Sequence, residues 1–191
     1  MQVLKFGGSS VENAEAIKKS VAIVQQALKK DRTMVVVSAS GGTTDQLIEA
    51  GKMASLFNEE YKDIIKLLEK RHLQTVQELI PVAQQSAILS LVMNKFNEIE
   101  SICEGIFLLR ELSPRTLDRI MSYGEQLSSH IFAYAFESLK TEHIWVDSRN
   151  LIRTDSGFGN ALVNYEATNT QIQHFIEQNI SQLYVFPGFI G

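Results

Sequence analysis

The chain has one cysteine, Cys103, so no disulfide can form within it, and that usage points to a reducing compartment, the cytoplasm. Prolines number three, and neither a low-complexity tract nor a repeat of fixed period interrupts the sequence, so no linker is visible. One large domain, or most of one, is the expectation. No apolar run is long enough to cross a bilayer, and the N-terminus reads as a strand, not as a signal peptide. Basic residues are in deficit: 18 Lys and Arg stand against 22 Asp and Glu, and a net charge of −4 gives no basic surface for nucleic acid. The two best-known phosphate-loop patterns, G-x-x-x-x-G-K-[ST] and G-x-G-x-x-G, are missing as well, which disfavours P-loop and Rossmann readings. What remains is a chain of 191 residues, 45% of them hydrophobic, with material for a substantial core.

The stretch that organises the rest is Val3-Leu4-Lys5-Phe6-Gly7-Gly8-Ser9-Ser10-Val11. Its apolar start reads as a short buried strand. Ser9 and Glu12 have the spacing of a capping box, and Ile17, Val21, Val24 and Leu28 recur on one face, so a helix is expected directly after the glycines. The free N–H groups and positive end of such a helix suit an anion, Gly7 and Gly8 allow close approach, and Lys5 adds a mobile positive charge. The outline is that of a phosphate site, although a Gly-Gly turn also serves as plain chain reversal.

Met34-Val35-Val36-Val37 is a continuous apolar run, the mark of a strand buried on both faces, and strand, helix, strand implies a parallel βαβ unit. A second glycine-containing turn follows over Ser38–Asp45, where Thr43 and Gln46 repeat the capping-box spacing ahead of Leu47, Ile48 and Met53. Two apolar stripes come next, one from Tyr61 to Leu79 ended by Pro81, the other from Ile88 to Cys103. They predict a pair of packed helices outside the sheet, an insertion over about residues 58–112, with His72 and Cys103 as core residues.

Ser113-Pro114 opens a further helix, serine as cap and proline in the first turn. From Leu127 an unusually apolar face runs through Ile131, Phe132, Ala135, Phe136 and Leu139, which puts Glu125 near a helix start. A first-turn carboxylate can simply complement the helix dipole. Gly124 directly before it, and the small or apolar residues around it, instead suggest a buried acid with a cationic partner, such as the α-amino group of an amino acid. His143–Asp147 reads as a strand, and Arg149 and Arg153 could pair with Asp147 and Asp155 on the surface. A last helix with Ile172, Phe175, Ile176 and Ile180 precedes the strand Leu183–Phe186 and the turn Pro187-Gly188-Phe189-Ile190-Gly191. In an open parallel sheet, ligands sit at the carboxyl ends of the strands. If these strands run parallel, the three glycine turns line one edge and describe a single site.

Five stretches, taken together and in order, carry a family resemblance: Lys5-Phe6-Gly7-Gly8-Ser9-Ser10, Val37-Ser38-Ala39-Ser40-Gly41-Gly42-Thr43-Thr44, Gly124-Glu125-Gln126-Leu127-Ser128, Arg153-Thr154 and Gly188-Phe189-Ile190-Gly191. The chain resembles the amino-terminal part of the catalytic domain of aspartate kinases, in the amino-acid kinase superfamily. Leu112-Ser113-Pro114-Arg115-Thr116 ahead of Ser122-Tyr123-Gly124-Glu125 also resembles the kinase half of bifunctional aspartate kinase/homoserine dehydrogenases.

The resemblance implies an α/β fold, a three-layer αβα sandwich with a mostly parallel sheet. It implies phosphoryl transfer from ATP, with Mg2+, to the β-carboxylate of L-aspartate, giving 4-phospho-L-aspartate at the start of lysine, threonine and methionine biosynthesis. It further implies a cytoplasmic, homo-oligomeric parent enzyme with no nucleic-acid or membrane partner. By the same resemblance Lys5 is catalytic and stabilises the transferred phosphoryl group, with Gly7, Gly8 and Ser9 beside it at the ATP phosphates. Ser38, Thr44, Glu125 and Phe189 surround the aspartate, Glu125 facing its α-amino group, and no side chain of this chain is assigned to a metal. Ser9 stands where many members carry threonine, a change that keeps the hydroxyl. The second glycine-rich stretch, which by the resemblance carries the arginine holding the aspartate's carboxylate, the catalytic aspartate and most of the nucleotide pocket, is expected beyond Gly191, as are the regulatory ACT domains and any dehydrogenase domain. Two other readings stay open: a non-catalytic amino-acid-binding or interaction module, and a kinase acting on glutamate, acetylglutamate, carbamate or a nucleotide. Phe6-Gly7-Gly8-Ser9-Ser10 and Gly124-Glu125 argue against the latter.

Overall fold

Burial alternates along β1 (Gln2–Phe6) and β2 (Thr33–Val37), as it must where successive side chains point to opposite faces of a sheet. In the computed structural model, which describes residues 1–189, these strands join β3 (Ile144–Trp145) and β4 (Leu183–Pro187) in a four-stranded sheet of order β1-β2-β4-β3. Every pairing is parallel. The expected α/β architecture is therefore present, with helices on both faces of the sheet. Leu4, Phe6, Val35, Val37 and Val185 face α1 (Ala14–Leu28) and α5 (Pro114–Ser138) in the main core. Met34, Tyr184 and Phe186 face α6 (Tyr165–Gln178) through Ile172 and Phe175. Val3, on that second face at the edge strand, stays 61% exposed, so α6 leaves the sheet open toward β1.

Between β2 and α5 lie α2 (Thr43–Ser55), α3 (Tyr61–Leu79) and α4 (Gln85–Leu109). The two apolar stripes read from the sequence are buried as expected: α3 and α4 pack chiefly on each other and on α2 and α5. His72 and Cys103 are core residues among them. Burial drives the His72 imidazole down to about 4, so it is neutral, and drives the Cys103 thiol up to about 12, which leaves it an inert space-filler.

Several local expectations are corrected. The helix after Gly8 does not begin at once: Gly8–Val11 form a short 3-10 turn, and α1 starts at Ala14, capped by Asn13, whose side chain accepts from the Ala16 N–H at 2.9 Å. Asn13, one of the best N-caps, displaces the Ser9–Glu12 box, while the intervening turn buries Val11. α2 likewise lacks the predicted Thr43–Gln46 box; its N-cap is Gly42 at φ +72, and Thr43 is already helical. α5 runs unbroken through Tyr123 and Gly124, so Glu125 sits in mid-helix and not in a first turn. β3 stops at Trp145, and Asp147 instead caps the following turn. α6 ends at Gln178, leaving Ile180 78% exposed. Arg149 does pair with Asp147, at 2.6 Å, whereas Asp155 accepts from the Gly157 and Leu162 N–H groups and forms no ion pair with Arg153.

Candidate active site

The carboxyl edge of the sheet gathers around the end of β2. Gly8 comes so close that a Cβ there would lie 3.0 Å from the Ala39 carbonyl oxygen and 3.4 Å from the Gly41 Cα. The Gly188 N–H donates to the Val37 carbonyl at 2.9 Å, and a Cβ on Gly188 would lie 3.2 Å from that same oxygen. Close backbone approach, not an unusual dihedral, favours glycine at these positions. All three glycine turns thus meet at one edge, as far as they are described; Ile190 and Gly191, the end of the third turn, lie outside the described residues.

From the α5 side, Gly124 presses on the same loop. Its missing Cβ would fall 2.8 Å from the Ala39 Cβ and 3.6 Å from the Thr43 Cγ2. One turn along α5, the Ser128 hydroxyl donates to the Ser38 carbonyl at 2.6 Å. These contacts carry Glu125 to the rim, where it is only 9% exposed, and its Oε2 has no hydrogen-bond partner. Burial raises the Glu125 carboxyl above the usual range, and backbone N–H groups of Ala39 and of Glu125 itself pull the other way. A buried carboxylate without a cation is costly, which marks Glu125 as a candidate site residue.

Glu125→Gln follows as a test of that burden. A carboxyl raised in the folded state binds its proton more tightly there than in the unfolded chain, so stability is lost as pH rises from the unfolded value toward the raised folded one. Above that window the ionised Glu125 opposes folding; below it the two proteins are equal. Thermal denaturation at pH 7 should find Glu125→Gln more stable by about 1 kcal/mol, about 2–4 °C in Tm, with the difference vanishing near pH 4. A pH-independent difference would mean that ionisation of Glu125 does not distinguish the folded from the unfolded chain.

The remaining predicted residues spread over the same rim. Thr44 is half-buried in the first turn of α2, Ser38 is half-buried beyond β2, and Phe189 is half-buried after Gly188. Gly7 and Ser9 are exposed, and no atom lies within 4 Å of where a Gly7 Cβ would stand, so the turn after β1 opens to a ligand. Lys5 is exposed and stands in the row Lys5–Val36–Phe186, on the α6 face of the sheet. Glu125 approaches from the opposite face. The two can share a ligand only over the top of the strands. Among the described residues, no group of three or more His, Cys, Asp or Glu side chains gathers to hold a metal ion.

Sequence reasoning missed Arg71 of α3. Its Nη2 donates to the Thr43 Oγ1 at 2.6 Å, across 28 positions of sequence that no local pattern connects. Thr43 itself was read as a cap, and its hydroxyl is turned to Arg71 instead.

The sequence model of the amino acid kinase family matches residues 1–191. Aspartokinase 1, chloroplastic, of Arabidopsis thaliana is 35% identical over 134 residues, which are 69% of this chain and 22% of that protein. The bifunctional aspartokinase/homoserine dehydrogenase of Buchnera aphidicola is 26% identical over 196 aligned residues, all of this chain and 24% of its own length. Among solved structures, E. coli aspartokinase III in complex with aspartate and ADP superposes with a TM-score of 0.82 at 22% identity, covering 96% of this chain and 40% of that one. The chain thus spans less than a quarter of the length of these two curated relatives.

Proposed function

The chain belongs to the amino acid kinase family, and from that membership we propose that it carries the amino-acid side of an aspartate kinase, the enzyme that transfers the γ-phosphoryl group of ATP to the β-carboxylate of L-aspartate. The observation that carries this reading is Glu125, a buried carboxylate with no cation, held at the edge where three glycine turns meet. The aspartokinase names of the relatives and the aspartate and ADP of the E. coli structure agree with it.

Phosphoryl transfer needs positioning and charge stabilisation more than bond-making by the protein. The acceptor carboxylate is already ionised at neutral pH, so no general base is required. In this reading the Glu125 carboxylate takes the substrate α-amino group, and Ser38, Thr44 and Phe189 line the aspartate. Lys5 neutralises charge on the phosphoryl group in flight, beside the turn of Gly7, Gly8 and Ser9. That turn fits a phosphate: its first N–H groups have no intrahelical partner, and the space over Gly7 is open. Mg2+ would arrive on the ATP phosphates, which supply most of its oxygen ligands, and would offset their charge.

We place residues 58–112 as a helical insertion in the catalytic domain, since α3 and α4 pack chiefly on other helices. No helix among the described residues is long and apolar enough to cross a membrane. A cytoplasmic, homo-oligomeric parent is the extension of this reading, its compartment supported by a lone buried cysteine. An ATP-dependent aspartyl-hydroxamate assay tests it, on this chain and on the same chain extended past Gly191. Product from the extended protein with L-aspartate, and not with L-glutamate, is the expected result. Product from neither would leave an amino-acid-binding module as the surviving reading.

A further inference from the structure

Resting on that reading, we propose that Arg71 is a positioning residue of the amino-acid subsite: through the buried Thr43 it fixes the first turn of α2, and with it Thr44. The start of α2 is loosely held by its own sequence. Gly42 occupies the cap position at φ +72 and offers no side-chain cap, and no atom lies within 4 Å of where its Cβ would stand. The chain is therefore free to pivot there. The hold comes from α3, where the Arg71 Nη2 donates to the Thr43 Oγ1 at 2.6 Å. Thr43 is fully buried, and its Cγ2 lies 3.6 Å from where a Gly124 Cβ would be, so the guanidinium acts through this residue. A β-branched side chain has few rotamers, and pinning its hydroxyl and its methyl on two sides pins the turn. Thr44, next along that turn, is one of the residues placed around the aspartate.

A guanidinium placed for stability alone would be paired with an acid. Among the described residues no carboxylate lies within ion-pair distance of Arg71, and its Nε is buried without a hydrogen-bond partner. Partial burial holds the guanidinium below its ordinary value, with no acid to oppose the effect. The bond also brings a cation to the first residue of α2, the positive end of the helix, where a positive charge is disfavoured. Replacing such a group together with its acceptor by apolar side chains of similar volume is often neutral or stabilising. What the arginine supplies and an apolar contact does not is direction. A bond of fixed geometry sets where the turn stands, at a cost in stability that is expected beside a site whose residues must be held in place.

Thermal denaturation, titration calorimetry with L-aspartate and steady-state kinetics test this in the full-length protein that carries these residues. Thr43→Val and Arg71→Met each remove the bond. Each should raise Kd and KM for L-aspartate by about tenfold, leave KM for ATP unchanged, and lower Tm, because one buried group is left unpaired. The double variant Thr43→Val/Arg71→Met leaves neither unpaired. Its Tm should return to that of wild type or above, while the loss in Kd and KM persists and is no greater than for either single change. A merely structural role predicts instead that affinity recovers with Tm. Arg71→Lys, which keeps a donor but not the planar fork, should fall between wild type and Arg71→Met. A double variant that regains both Tm and affinity overturns the proposal, as does an equal rise in KM for aspartate and ATP. Wild-type affinity in Thr43→Val does the same, and that variant decides the matter if Arg71→Met does not fold. A wild type that binds aspartate without turnover, with binding weakened in the variants, overturns the kinase reading and keeps the role of Arg71; a wild type that neither binds nor phosphorylates aspartate overturns both.

Discussion

Lys5→Ala is expected to lower turnover of L-aspartate by about a thousandfold in the full-length enzyme, with little change in stability. Removing one preorganised group that meets charge developing in a transition state costs on the order of 10²–10³ in kcat, and phosphoryl transfer rests on such groups. Stability should hold because Lys5 is exposed on an edge strand, while the neighbours that bury β1 are Leu4 and Phe6 on the other face. Exposed substitutions of this kind fall within about 0.5 kcal/mol. Circular dichroism melts alongside the hydroxamate assay separate the two effects. Wild-type turnover by Lys5→Ala would remove the lysine from the mechanism; lost turnover with a collapsed Tm would make it a structural residue.

Gly124→Val should produce the largest loss of stability, about 3 kcal/mol or more. The Cβ of any residue at 124 would stand 2.8 Å from the Ala39 Cβ, and neither atom is the end of a flexible side chain. α5 is anchored along its length by Ile120, Leu127, Ile131, Phe132 and Phe136, all nearly inaccessible to solvent. The helix cannot retreat without opening that core, so the loop after β2 must move instead. Gly124→Ala should show a smaller loss, because the gain in helix propensity, about 1 kcal/mol, opposes the clash. Urea denaturation of the three proteins would give the order wild type, Ala, Val. Equal stability of the valine variant would mean that the segment Ala39–Gly41 does not lie against α5. Since Glu125 borders the same segment, any folded Gly124→Val should also bind amino acid poorly.

These two residues were legible in different degrees. Lys5 was conspicuous as a cation ahead of two glycines, and its strand placement followed from the apolar residues around it. Gly124 was noticed for close approach, but what it approaches, Ala39, is 85 positions away by residue number and invisible to any local pattern. The helix starts were misread for a related reason. A capping box is a spacing of two residue types, and stronger competitors overrule it: Asn13 for α1, and for α2 a Thr43 hydroxyl drawn off by Arg71. The sequence places Glu125 near a helix start because the unusually apolar face begins at Leu127. The helix continues there because Ser122, Tyr123, Gly124 and Gln126 are all buried against other elements.

By itself the sequence determined the strands, the parallel βαβ logic, the helical pair of α3 and α4, and the string of glycine turns that marks the family. Those are properties of local periodicity and of residue types that only certain backbones tolerate. Only the tertiary structure decided that Lys5 and Glu125 come to the rim from opposite faces of the sheet, and that Arg71 reaches the start of α2. Which charges are left unmatched depends on which side chains the packing brings within bonding distance. That is a property of the fold, fixed by contacts between residues far apart in the chain.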